Sequence, residues 1–95
     1  MSKITHNGNE LEYTIHLYAN GGTAIQLWQD HEPYTMATVW VPDLKEGEIA
    51  IKDYSENIGI YDALLNANLI EPAHRIVFSG FVEIPVCIFK GGTDA

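Results

Sequence analysis

The chain has 95 residues, 46% of them hydrophobic and 19% charged, which is the composition of one small globular domain rather than a disordered segment. Thirteen acidic residues against five basic ones give a formal charge of -8, so the basic footprint that a binder of DNA or RNA phosphates needs is missing. No apolar run is long enough to span a membrane, Met1-Ser2-Lys3-Ile4-Thr5-His6 lacks the apolar stretch of a signal peptide, and the single cysteine, Cys87, excludes an internal disulfide and fits a reducing compartment.

Residues 1–9 and 91–95 are polar or Gly-rich and are expected to fray, leaving one domain at 10–90. In Leu11-Glu12-Tyr13-Thr14-Ile15-His16-Leu17 the apolar side chains alternate with polar ones, the pattern of a half-buried strand. Asn20-Gly21-Gly22 tolerates positive φ and reverses the chain, and Ala24 to Trp28 returns as a second strand. Asp30-His31-Glu32-Pro33 reads as a polar turn. Tyr34 to Val41, rich in Thr, Val and aromatics, is a third strand that Pro42 stops. The loop Asp43 to Gly47 leads to a short strand, Glu48 to Lys52.

The period then changes. Ile58, Tyr61, Leu64 and Leu65 recur at helical spacing, which predicts one helix over about 57–67 with Ser55 or Asn57 as its cap and Asn68 as a left-handed stop. Ile76 to Ser79 and Phe81 to Phe89 are strands around Gly80, a bulge or bend, and Pro85 argues for an edge or interrupted position of the last one. The expected fold is α+β: an antiparallel or mixed sheet of five to six strands with one helix packed on one face.

Chemistry is sparse. There is no phosphate-binding loop, His-Glu-x-x-His or Cys-x-x-Cys, and His6, His16, His31 and His74 are far apart in sequence, so no metal, no cofactor and no catalytic residue is assigned. Cys87 lies in an apolar strand, where a thiol is inert. The acidic residues are more telling. Glu10/Glu12, Asp30/Glu32 and Glu46/Glu48 are i, i+2 pairs that would project to one side of an extended chain. With Trp28 and Trp40 they form the candidate partner-binding set, because carboxylates in number can imitate nucleic-acid phosphates and exposed Trp anchors binding. If Ile25 and Leu27 face the core, Trp28 faces away, while Trp40 and Tyr34 share a face of the third strand. Apolar residues on both faces call for cover, by the last strands, a partner or a second copy, and suggest a homodimer. Lys52, Asp53, Tyr54, Ser55, Glu56 and Asn57 form a polar strand-to-helix loop, read either as caps and turn-formers or as a ligand-binding loop.

The runs Ala19-Asn20-Gly21-Gly22-x-Ala24-Ile25-Gln26-Leu27, Glu32-Pro33-Tyr34-x-x-x-Thr38-Val39, Lys52-Asp53-Tyr54-Ser55-Glu56-Asn57-x-Gly59 and Ser79-Gly80-Phe81-Val82-Glu83-Ile84-Pro85-Val86-Cys87 resemble a family of small proteins of unknown function carried by phages, plasmids and conjugative elements. The resemblance implies an accessory protein of a mobile element in a bacterial cytoplasm and no particular activity. The expected function is then a non-enzymatic inhibitor that binds a host protein, such as a defence nuclease complex, through its acidic and aromatic surface. The alternative is a module that binds or sequesters a nucleotide-like small molecule through the 52–57 loop.

Overall fold

The computed structural model describes residues 4–18 and 22–90, and these form seven strands and one short helix. Strands β1 (Ile4–His6), β2 (Asn9–Leu17), β3 (Thr23–Gln29) and β4 (Glu32–Met36) make one antiparallel sheet in that order. Strands β5 (Glu48–Ala50), β6 (Arg75–Ser79) and β7 (Val82–Ile88) make a second, ordered β5-β7-β6, and the helix α1 spans Ile60–Asn66. The α+β class stands, but the expected single sheet is two sheets and seven strands.

The start of the chain differs from expectation. Asn7 and Gly8 take φ of 53° and 81°, the two-residue hairpin turn that Asn-Gly favours. It folds β1 back on β2, so the segment expected to fray is a strand from Ile4 on, with Ile4 fully buried. Asp30 and His31 (φ 52° and 70°) make a second turn of this kind, so Glu32 and Pro33 belong to β4 rather than to the turn. The reversal expected at Asn20-Gly21 and the tail at 91–95 lie outside the described residues.

The predicted third strand breaks after Met36. The Ala37 N–H still bonds to Ile25 O at 2.9 Å, but Thr38 bridges Ile51, and the N–H groups of Val39 and Lys52 bond to Ala50 and Ala37 at 3.0 and 2.9 Å. Residues 37–39 thus pass from one sheet to the other. The predicted helix is likewise divided. Gly59, at φ 98°, separates a 3-10 turn at Ser55–Asn57 from α1, which is two turns long, and Asn68 (φ 62°) ends it as expected.

Gly80 lies in the two-residue turn between β6 and β7, not in a bulge. β7 is the central strand despite Pro85. Successive residues of an antiparallel strand bond to opposite neighbours. Pro85 O accepts from Ile51 N–H at 3.0 Å, so its missing N–H also falls on the β5 side, where β5 has just ended. The main core joins both sheets to α1 through Ile4, Leu27, Ile49, Ile51, Leu64 and Cys87. A second apolar cluster, Val41, Ala50, Ile84 and Val86, fills the opposite face of β5-β7-β6. Among the described residues no helix is long and apolar enough to cross a membrane.

Candidate functional site

Alternation along β2 turns Leu11 and Tyr13 toward the core and leaves Glu10, Glu12, Thr14 and His16 on the outer face. β3 continues both faces: Ile25 and Leu27 are fully buried, so Trp28 faces outward as expected, directly opposite Glu12. A register shift between Leu27 and Trp28 breaks the pairing to β4 at this point. The indole is fixed in place, its Nε1–H donating to Thr14 Oγ1 at 2.9 Å, and that oxygen lies 2.8 Å from His16 Nε2.

Two shallow cavities share Trp28, Glu12 and His31. One of about 380 Å³ is completed by Tyr13 and Thr14. The other, of about 170 Å³, is completed by Glu10, Leu11 and Asp30. The Asp30-His31 turn supplies two of these side chains, next to the carboxylates of β2. An indole wall beside carboxylates suits a cation carried on an aliphatic stem. The stem packs on the ring while the charge meets both the ring's negative face and the carboxylates. Of the expected partner-binding residues, Glu10, Glu12, Trp28 and Asp30 therefore come together. His31, Tyr13 and Thr14 complete the site and carried no sequence signal beyond their place in a turn or an alternating strand.

The remaining members go elsewhere. Glu32 is exposed at the start of β4, opposite Gln29, and lines neither cavity. The shared face expected for Tyr34 and Trp40 does not exist, because the strand between them breaks. Tyr34 packs on the core, while Trp40, 49% exposed, borders a third depression of about 420 Å³ with Leu44, Glu46 and Glu48. We expect Trp40→Ala to leave the urea midpoint almost unchanged, since a half-exposed side chain away from the core forfeits little on truncation. A loss of several kcal/mol would place Trp40 in the core instead.

The Glu46/Glu48 pair does not project to one side, because Gly47 between them has φ 84°. Glu46 is exposed, whereas Glu48 is buried and held internally. Its Oε1 accepts from Arg75 Nη2 at 2.8 Å and from the Lys45 N–H at 2.9 Å, and its Oε2 lies 2.5 Å from His74 Nε2. Two consecutive residues reach one carboxylate because the pairing is irregular there. Arg75 is in register with Val86, yet the His74 N–H also bonds to Val86 O, at 3.1 Å. The Arg75 guanidinium first, then the Lys45 N–H and His74, hold the Glu48 carboxyl well below the ordinary glutamate range. Glu48 is a structural anchor for the 43–48 loop and is removed from the partner-binding set.

The 52–57 loop is also engaged internally. Asp53 Oδ1 accepts from the Gly59 and Tyr61 N–H groups at 2.9 and 3.1 Å, so Asp53, rather than Ser55 or Asn57, satisfies the start of α1. Ser55 has φ 56° and makes no cap bond. Asn57 is fully buried, donating to Met36 O at 2.6 Å and accepting from Thr35 Oγ1 at 2.7 Å. Lys52 pairs with Glu56 at 3.1 Å and lies 5.9 Å from the centre of the Tyr54 ring. These bonds give the loop the reading of caps and turn-formers.

The histidines occupy four separate settings. His6 is buried, its Nε2–H donating to Ile58 O at 2.8 Å, with Nδ1 2.9 Å from Tyr34 Oη. His16 meets Thr14, His31 lies in a turn, and His74 meets Glu48. Among the described residues no three His, Cys, Asp or Glu side chains are placed to share a metal ion. Burial pushes the Cys87 thiol up to about 12, so it carries almost no thiolate near neutrality. Comparison of the chain with protein-family models, with curated proteins and with solved structures gives no match. The resemblance to small mobile-element proteins is thus carried by the sequence runs alone.

Proposed function

We propose that this chain is a non-catalytic binding protein that holds a basic surface of a protein partner on its Trp28 face, in the manner of an inhibitor or adaptor. The observation that supports this most is the gathering of Glu10, Glu12 and Asp30 around an outward-facing tryptophan on the first sheet. A lysine or arginine from the partner would lie against Trp28 and pair with Glu12, with the remaining carboxylates speeding encounter and choosing the partner. The resemblance to mobile-element proteins makes a host protein, including a defence component, the partner to seek. Extended imitation of nucleic-acid phosphates draws less support, because Glu32 lines neither cavity, Glu46 borders a different depression and Glu48 is buried. The nucleotide-binding alternative draws none from the 52–57 loop, where the Lys52, Asp53, Glu56 and Asn57 side chains are bonded within the chain.

The test is retention of proteins from a bacterial lysate on the immobilised full-length chain, in parallel with Trp28→Ala and Glu12→Gln. The expected result is a protein held at low salt, released at high salt, and bound about 30-fold more weakly by Trp28→Ala, the scale of a hot-spot residue. Equal retention by all three chains would overturn the proposal. So would a nucleotide-sized molecule eluting in place of any protein.

A further inference from the structure

The second sheet ends in β6, and among the described residues no strand covers its outer edge. Because Pro85 turns toward β5, it is Val82 and Ile84 that exchange main-chain bonds with Ser79 and Val77, while Val86 O turns to the same side and accepts from the His74 N–H. Ile76 and Phe78 therefore direct their N–H and C=O groups away from β7, along an open edge. Their side chains are uncovered too, 46% and 69% exposed, and Phe81 at the tip of the same hairpin is wholly exposed. Among the described residues most other edges are blunted, the exception being β2 beyond Leu11, which β1 does not reach and where Ile15 and Leu17 are exposed. β1 packs against α1, β4 carries Pro33 and is bonded at Met36 by Asn57, and β5 is bonded by Val39.

We infer that β6 is a self-association edge, pairing antiparallel with β6 of a second copy about a two-fold axis at Val77. This register is self-complementary. Ile76 of each copy faces Phe78 of the other, the two exchange N–H···O=C bonds, and each outer face gains an apolar cross-strand pair. Ile76, Phe78 and Phe81 offer on the order of 400 Å² of apolar surface per copy, since a large side chain carries roughly 200 Å². With the strand main chain added, this approaches the ~800 Å² per partner of a standard interface. The surface belongs to a different sheet from the Trp28 site, so the two inferences stand or fall separately. They also respond oppositely to salt. Two copies each carrying -8 repel, and screening favours their pairing, whereas it weakens an acidic site's hold on a basic partner.

Sedimentation equilibrium of the full chain, at low and high salt, tests this against Phe78→Lys and Ile76→Lys. The wild type should reach twice the chain mass, with association stronger at high salt. Both variants should stay at one chain mass with unchanged far-UV circular dichroism. Hydrogen exchange of the wild type gives a readout independent of the variants' folding: the Ile76 and Phe78 amides should gain protection as concentration rises. A wild type that stays monomeric at high salt and high concentration would overturn the proposal, as would a dimer that leaves those two amides unprotected. A dimer that Phe78→Lys leaves intact would also refute it.

Discussion

Glu48→Ala should cost about 2–4 kcal/mol of folding stability, the loss expected when one member of a buried, hydrogen-bonded ion cluster is removed. The upper part of that range is limited by exposure. Glu48's side chain is only 5% exposed, but Arg75 and His74 are 34% and 40% exposed and recover some hydration when the carboxylate goes. The loss includes the Lys45 N–H, which is left without its acceptor, and so loosens the loop that carries Glu46. Urea denaturation checks the figure, with exposed Glu46→Ala as a control that should leave the midpoint in place. A Glu48→Ala midpoint equal to the control's would show that the cluster contributes nothing.

The same carboxylate sets a pH dependence. Its folded value lies below the ordinary 4.5, so its contribution is fully present above about pH 4.5 and is lost as pH falls toward the folded value. In Glu48→Gln this acid-limb slope should disappear, and the stability gap between wild type and variant should narrow below pH 4.5. A gap that stays constant from neutrality to strong acid would contradict the assignment.

Asn57→Ala should cost about 2–3 kcal/mol. The side chain is fully buried, and its removal leaves the Met36 carbonyl and the Thr35 hydroxyl without partners, beside a small void. Asn57→Asp should be no milder, because a carboxylate cannot donate to the Met36 carbonyl. This amide ties the end of β4 to the turn that precedes α1, so amide exchange should speed most at 36–38 and 57–61. Exposed Glu56→Ala serves as the control. Stability of Asn57→Ala equal to that control would refute the latch.

What was legible followed from local physics. The alternation of Leu11 to Leu17, the return strand at Ala24 to Trp28, the outward turn of Trp28, the stop at Asn68 and the inert setting of Cys87 all depend on side-chain period, on backbone sterics or on burial in an apolar strand. The Asn7-Gly8 hairpin was equally local and was hidden only because the segment is short and polar. The candidate site was half legible. Glu10, Glu12, Asp30 and Trp28 converge because β2 and β3 are neighbours in sequence and in space. Glu48 left the set because its partners, His74 and Arg75, lie far along the chain and meet it only through β7.

The sequence by itself determined the α+β class, the strand and helix types and the excess of acid, since period, propensity and composition act within a few residues. The tertiary structure decided the split into two sheets at residues 37–39, the central place of a proline-bearing strand and which carboxylates are buried. Each of those depends on long-range main-chain bonds and desolvation, which no local pattern encodes.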